Sequence, residues 1–223
     1  MSEEKLEVIL REKKLRNYIL GLGEFYTIRP DVDYNRWLKI KDFYKNPLTQ
    51  AQEKAYVEEV IGELFSSQES QEQHVGVLLS RVLSLPNTKE KIINLMLDKG
   101  FQGLSQRVKD ELCYSASLLQ IHETRICVVE YFLKQNRLRN FIFNSRNPPY
   151  ISQVDANDIW RLEAIHEFFN ISSNELRKKI LMEIDEAFED GENFRLLVSI
   201  YIDKKMNVNS EFVQHLIMLV GVV

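Results

Sequence analysis

The sequence predicts an all-α protein built as an array of antiparallel helical hairpins, an α-α superhelix. Three observations lead to this prediction. The 223 residues include only eight glycines and five prolines, fewer than sandwiches, barrels or disordered chains use in turns and linkers. Helix starts recur almost periodically from residue 88 onward. Apolar residues recur at helical spacing, as at Val57, Val60, Ile61, Leu64 and Phe65.

Residues 1–47 are predicted to form capping helices at one end of the array. One helix is expected over residues 3–20, followed by a break at Gly21-Leu22-Gly23, and a second helix over residues 34–44. Internal helices of an array bury both faces against their neighbours, so its end needs an atypical element. The aromatic residues of this segment suit a sealed end.

Residues 48–223 are predicted to form the array itself. Three helices begin with pairs in capping-box form, Thr49 with Gln52, Ser70 with Gln73 and Ser172 with Glu175. Further starts are expected at Thr88, Ser105, His122, Asp155, Ser173, Gly191 and Asn209, and the last three intervals are 18 residues each. An irregular insertion over about 137–154, with a brief helix over 138–143, interrupts the array.

A turn aspartate followed by an apolar residue, an arginine and an alanine occurs in the segment Asp158-Ile159-Trp160-Arg161-Leu162-Glu163-Ala164. This order resembles the first helix of HEAT-like repeats. Shorter matches at Leu176-Arg177 and Val108-Lys109 lack the alanine. The resemblance implies an α-solenoid over residues 48–223, and it implies protein binding along a groove or ridge.

The net charge and the apolar runs of the sequence limit the classes of partner and the cellular compartment that we expect. The formal net charge is -4, so no overall positive field attracts nucleic acid or anionic lipid. The longest apolar run, residues 216–223, is far shorter than the ~20 residues of a spanning helix. The acidic amino terminus lacks the pattern of a signal peptide. We therefore expect a cytoplasmic protein without a membrane partner, with Cys113 and Cys127 as free thiols.

No catalytic, cofactor or metal motif is present in the sequence. His74, His122, His166 and His215 lie on separate predicted helices, and none is part of a two-histidine metal motif. Glu163 and His166 have the spacing of a helical carboxylate–histidine pair, but a second such pair is missing. We interpret this pair as a contact on a helix surface. The sequence therefore predicts a protein that is not an enzyme.

Two charged segments are candidate partner-binding sites. The first combines basic and aromatic side chains at Lys134, Arg137, Arg139, Phe141, Phe143, Arg146 and Tyr150. Such side chains are compatible with plain structure, with protein contact, or with phosphate binding and base stacking. The second is acidic and includes Glu186, Glu189 and Asp190. It is either a solvated face or a recognition surface for a basic partner.

The leading hypothesis is a non-enzymatic protein-binding helical-repeat protein, acting as an adaptor or as an inhibitor of the immunity-protein type. The alternative is a nucleic-acid-binding helical solenoid that uses residues 134–150. The apolar carboxyl-terminal helix, with Phe212, Leu216, Ile217 and Leu219, either folds back into the core or docks on a partner or a second subunit. Oligomerisation through this helix is thus a further expectation.

Overall fold

The computed structural model describes residues 3–26, 30–143, 156–189, 192–205 and 210–221. These ranges contain helices and turns and no strand, which confirms the all-α prediction. Contacts divide the chain into two compact units, residues 1–115 and 116–223. The predicted boundary at residue 47, between a capping segment and the helical repeats, stays a prediction.

The first unit contains α1 (Glu3–Arg11), α2 (Leu15–Leu20), α3 (Pro30–Lys45), α4 (Ala51–Phe65), α5 (Ser70–Leu83), α6 (Thr88–Leu97) and most of α7 (Gln106–Leu118). Helices α4 and α5 form the most extensively packed pair, and α2 and α3 pack on them. The core of this unit includes the buried side chains Leu15, Tyr18, Ile40, Ile61, Leu64 and Leu79. Trp37 donates a hydrogen bond from its indole to the carbonyl of Ile19 at 3.3 Å and so ties α3 to α2.

The second unit contains α8 (Arg125–Lys134), α9 (Leu138–Phe143), α10 (Ala156–Ile171), α11 (Asn174–Glu189), α12 (Glu192–Lys205) and α13 (Glu211–Gly221). Each helix packs on its neighbour in sequence or on the next but one, as α8 does on α10, α9 on α11, α10 on α12 and α11 on α13. Buried aromatic side chains fill the centre of this unit, among them Trp160, Phe169, Phe194, Tyr201 and Phe212.

The predicted helix starts agree closely with the structure where it describes them. Helix α6 begins at Thr88, and α10 to α13 begin at Ala156, Asn174, Glu192 and Glu211, steps of 18, 18 and 19 residues. The predicted starts at Asp155, Gly191 and Asn209 themselves lie outside the described residues. The brief helix predicted over 138–143 is confirmed as α9.

The three predicted capping boxes are wrong, because each hydroxyl is used differently. Thr49 donates to the carbonyl of Phe43 at 2.6 Å, and Ser172 donates to the carbonyl of Phe168 at 2.7 Å. Both hydroxyls therefore close the end of the preceding helix instead of opening the next. Ser70 is already inside α5, which begins at that residue.

The single helix predicted over residues 3–20 is also wrong. Helix α1 ends at Arg11, and Lys13 adopts a left-handed conformation with φ 57°. The N–H groups of Lys13 and Lys14 donate to the carbonyls of Leu10 and Ile9 at 3.1 and 2.9 Å. These two bonds form a Schellman-type helix end, after which α2 starts in a new direction.

Neither Cys113 nor Cys127 forms a disulfide. Cys113 is buried in α7, and Cys127 is half-buried in α8. Burial raises the pKa of the Cys127 thiol to about 11, which keeps it protonated and unreactive at neutral pH. Within the described ranges, no helix has the length and apolar character needed to cross a membrane.

Candidate functional site

The basic and aromatic residues predicted as a site are divided between the surface and the core. Lys134 is exposed and forms an ion pair with Glu130 at 2.6 Å. Arg137 is half-buried, with its guanidinium 5.6 Å from the centre of the Phe132 ring, and Arg139 is exposed. The side chain of Phe143, and all of Arg146 and Tyr150, lie outside the described residues.

Phe141 is a core residue in this structure. Its side chain is 5% exposed and stacks on Phe132 with the ring centroids 5.1 Å apart. The indole of Trp160 meets the Phe141 ring edge-on, at 6.4 Å between centroids. The ring therefore supports the packing of α8, α9 and α10 and is covered on its faces by protein.

The acidic residues predicted as a second site lie on α11. Glu186 and Glu189 are exposed, and Asp190 lies outside the described residues. The neighbouring Glu183 accepts a hydrogen bond from the backbone N–H of Arg139 at 3.3 Å. Its carboxylate thus lies at the amino-terminal end of α9, which favours negative charge. The two predicted segments therefore meet, and the acidic helix lies beside the short basic one.

The outer side of α11 is an exposed stripe with one large apolar residue in its middle. Glu175, Lys178, Met182, Glu186 and Glu189 are all exposed and follow one another at intervals of three or four residues, as one face of a helix requires. Met182 is 63% exposed. The sequence does not single out this methionine, because one apolar residue among charged ones carries no periodic signal.

Helix α13 lies beside α11 and carries a second exposed methionine. The carboxylate of Glu211 is 3.3 Å from the guanidinium of Arg177, and Nε2 of His215 is 2.6 Å from the carboxylate of Asp185. The two pairs occur in the same order along both helices, so α11 and α13 run in the same direction. Met218 of α13 is 60% exposed. We call Met182, Glu186, Glu189 and Met218 the acidic–methionine face.

The carboxyl-terminal helix combines the two alternatives that its sequence left open. Phe212, Val213 and Leu216 are buried, so one side of α13 belongs to the core. Ile217 and Met218 are 38% and 60% exposed, so another side is open to solvent. Whether this open side binds a second subunit stays a prediction.

A polar network crosses α8, α10 and α12 inside the second unit. Glu163 forms ion pairs with Arg125 at 2.6 Å and with Lys205 at 3.3 Å. The Arg125 guanidinium also lies 3.5 Å from Glu167 and 5.7 Å from the centre of the Trp160 ring. Glu163 therefore holds two cations from different helices, and its role here is to join three helices.

His166 lies on the buried side of α10, the helix that also carries Glu163, and its contacts differ from those of Glu163. Its Nδ1 lies 2.9 Å from the hydroxyl of Tyr201, and its Nε2 lies 2.7 Å from the hydroxyl of Ser210. Burial, reinforced by the positive charge of Lys205, lowers the pKa of His166 below its usual value. Burial also raises the pKa of Tyr201.

The His166 contacts are those of a structural clamp. A neutral imidazole donates through one nitrogen and accepts through the other, so two hydroxyl groups satisfy it completely. In a Ser-His-Asp triad a carboxylate on the far nitrogen stabilises the imidazolium that forms during catalysis, and here that position holds a tyrosine hydroxyl. Among the described residues, no group of three or more His, Cys, Asp or Glu side chains is placed to hold a metal ion.

A groove of about 770 Å³ in the first unit is a further candidate site. Its lining includes Leu48, which is 87% exposed, and the charged residues Glu7, Arg11, Lys13 and Glu53. The two positive and two negative charges cancel, so nothing in the lining selects an occupant by charge. The acidic–methionine face is different, because its charges have one sign.

Comparison of the chain with models of protein families, with curated proteins and with solved structures gives no match.

Proposed function

We propose that this protein is a non-enzymatic, cytoplasmic protein-binding protein whose acidic–methionine face binds a basic segment of another protein. The observation that carries the proposal is the exposure of Met182 and Met218, at 63% and 60%, beside carboxylates of one sign. Methionine adapts its shape to an apolar partner, and exposed methionine is common at protein-binding surfaces. Among the described residues, Glu186 and Glu189 have no cationic partner. Their charges are therefore available to a partner.

Contacts within the second unit support the array of antiparallel hairpins as the scaffold for this face. Helices α8, α10 and α12 pack in one series, and α9, α11 and α13 pack in another. A stack of helical hairpins has this pattern, because each hairpin packs on the next. The face belongs to the second series, where two parallel helices present their outer sides together.

A repeated arginine contact also supports the array. Arg177 donates from Nε to the carbonyl of Phe169 at 3.0 Å, with its guanidinium 5.1 Å from the centre of the Phe169 ring. Arg195, 18 residues later, donates to the carbonyl of Phe188 at 3.4 Å and lies 5.3 Å from that ring. Equivalent arginines thus close the end of the preceding helix in consecutive steps.

An adaptor and an inhibitor of the immunity-protein type would both use such a face. The two differ in the partner, because an inhibitor blocks a toxic or enzymatic activity and an adaptor joins proteins without blocking either. An assay of the captured partner's activity, with and without this protein, separates the two roles.

The proposal is tested by affinity capture from an extract of the source organism. The bait is the full chain, as wild type, as Glu186→Lys with Glu189→Lys, and as a control with Glu59→Lys and Glu90→Lys. Both control positions are exposed and lie in the first unit, and the change in net charge is the same. A partner retained by wild type and control, and weakened about tenfold or more by the face variant, is the expected result. Equal recovery with all three baits, or no specific protein, contradicts the proposal.

A further inference from the structure

The three methionines within the described residues differ sharply in exposure. Met182 of α11 is 63% exposed and Met218 of α13 is 60% exposed, whereas Met96 of α6 is 2% exposed. Met1 and Met206 lie outside the described residues. An oxidant in solution must reach the sulfur before it can react, so the first two methionines are accessible to it and Met96 is not.

The cysteines, which often react with oxidants first, are protected in this fold. Cys113 is fully buried in α7. Cys127 is half-buried in α8, and burial raises the pKa of its thiol to about 11. Peroxides react with the thiolate, and a group with this pKa is almost entirely in the thiol form at neutral pH. A thioether has no proton to lose, so the exposed methionines are the sulfur groups of the described residues that are open to oxidation.

The surroundings of both exposed methionines admit an uncharged oxidant. Lys178 and Glu186, one turn before and one turn after Met182, are themselves exposed. Gln214, one turn before Met218, is exposed as well. Hydrogen peroxide has no charge, so the carboxylates near these side chains do not repel it. The approach to each sulfur is therefore blocked neither by a neighbouring side chain of its own helix nor by charge.

We propose that Met182 and Met218 form a reversible oxidation site, at which a peroxide converts each thioether to a sulfoxide. A lone pair of the sulfur attacks one oxygen of hydrogen peroxide, and the bond between the two oxygens breaks. The attacked oxygen stays on the sulfur, and the other leaves as water with both protons. The sulfur loses two electrons, and the peroxide gains them. Methionine sulfoxide reductases, one for each sulfoxide epimer, reverse the change with a dithiol as reductant, which becomes a disulfide as the oxygen leaves as water.

Oxidation at these two positions changes the protein surface and spares the core. A sulfoxide is polar and accepts hydrogen bonds, so it disrupts an apolar core but is well solvated at a surface. The core sides of the two helices carry other residues, such as Ile184 of α11 and Leu216 of α13, which are fully buried. The folded state therefore tolerates both sulfoxides, and the outer sides of α11 and α13 lose apolar surface.

Peptide mass spectrometry of the full chain treated with hydrogen peroxide tests the site. In the folded protein, the peptides with Met182 and Met218 should gain one oxygen atom at least about tenfold faster than the peptide with Met96. In concentrated urea the three rates should become similar, which controls for the effect of local sequence. Treatment with both methionine sulfoxide reductases and a dithiol should then remove the added oxygen from the folded chain.

A matched variant connects the change of surface with these two positions. Leucine is apolar, similar in size to methionine and free of sulfur, so Met182→Leu with Met218→Leu keeps the apolar surface and removes the reaction. Hydrophobic-interaction chromatography should show weaker retention of wild type after peroxide, and recovery after reduction. The retention of the variant should change by less than about half as much. Peroxide should move the thermal unfolding midpoint of wild type by no more than about 2 °C.

Several results overturn the oxidation site. Oxidation of Met96, Cys113 or Cys127 in the folded chain as fast as that of Met182 and Met218 would show that exposure does not select the position. Sulfoxides that the reductases leave in place refute reversibility. A larger fall of the unfolding midpoint, with oxygen added only at the two methionines, would mean that their side chains support the core. None of these results depends on whether the acidic–methionine face binds a partner, so the oxidation site and the proposed function fail separately.

Discussion

His166 shows how neighbours distant in sequence decide the role of one residue. Its spacing from Glu163 predicted a contact between the two on one helix surface. In the structure Glu163 binds Arg125 and Lys205, and His166 binds Tyr201 and Ser210. The partners lie 35 to 44 residues away from the residues they bind. Spacing within one helix cannot reveal them, because they depend on how α8, α10 and α12 pack.

The lowered pKa of His166 predicts a pH-dependent stability. An unfolded histidine gains a proton below its ordinary pKa of about 6.5, while buried His166 stays neutral to lower pH. The stability it contributes is therefore complete above that pH and is lost as pH falls through the window below it. At pH 8, His166→Phe should unfold more easily than wild type by about 1–3 kcal/mol, because the buried Tyr201 hydroxyl loses its partner.

The difference in unfolding free energy between wild type and His166→Phe is expected to shrink on acidification from pH 8 to pH 5. Urea unfolding of wild type and His166→Phe at several pH values measures it, and the variant provides the reference for every other titrating group. A difference that stays constant or grows as pH falls is incompatible with a neutral, buried His166.

At the scale of helices, several helices end without the glycine that usually occupies the left-handed position after the last turn. Lys13, Ser84, Gln120 and Asn136 have φ between 51° and 58°, in the left-handed region. In each case the following N–H donates to a carbonyl five residues back, the bond of a Schellman helix end. Glycine is the usual residue there, and its absence leaves no stop signal after Arg11. The predicted helix over 3–20 was too long for this reason.

Glycine at such a position is expected to stabilise the fold. A non-glycine residue in the left-handed region has a steric cost of about 1 kcal/mol, and glycine avoids it. Ser84→Gly should therefore raise the free energy of unfolding by roughly 0.5–1 kcal/mol, and Ser84→Ala should not. Urea unfolding of the two variants beside wild type decides the point, and an equal gain from alanine would show that φ is not the cause.

Two glycines inside helices predict opposite effects of alanine. A Cβ at Gly76 of α5 would lie 2.2 Å from the backbone nitrogen of Phe65 on α4. A Cβ at Gly62 of α4 would meet its nearest atom, Nζ of Lys91, at 3.7 Å. Helices α4 and α5 can approach closely at Gly76 because this residue lacks a side chain.

Gly76→Ala is therefore expected to destabilise the first unit by about 3 kcal/mol or more, since backbone must move. Gly62→Ala should stabilise it by about 0.5–1 kcal/mol, because alanine forms helix more readily than glycine. Thermal unfolding followed by circular dichroism compares them. If Gly76→Ala matches wild type, α4 and α5 do not approach as closely as described.

At the scale of the whole chain, periodic features were predictable and isolated ones were not. The all-α class and the 18-residue steps follow from apolar spacing, which many residues report together. The exposure of Glu186 and Glu189 was likewise expected from their charge. The exposure of Met182 and Met218 was not predictable, because exposure of a single apolar residue depends on which side of its helix faces the core. Phe141 was placed in a surface group because its stacking on Phe132 is a tertiary contact.

The contacts of Phe141 and of the basic residues near it also determine what to expect of binding to nucleic acid, the alternative ligand. Base stacking needs exposed aromatic faces, and the Phe141 ring is 5% exposed. Of the exposed basic residues near it, Lys134 forms an ion pair with Glu130 at 2.6 Å. The net charge of -4 adds no long-range attraction.

We therefore expect affinity for duplex DNA and single-stranded RNA weaker than the ~10⁻⁴ M limit of ordinary non-specific binding, even at low salt. Fluorescence anisotropy with labelled oligonucleotides measures it for wild type and for Arg137→Glu with Arg139→Glu. Tight, salt-sensitive binding that this double substitution abolishes would establish the nucleic-acid alternative. Because the substitution reverses two charges near α9 and leaves Met182, Glu186, Glu189 and Met218 unchanged, it should also preserve partner capture through the acidic–methionine face. One variant thus separates the two functions.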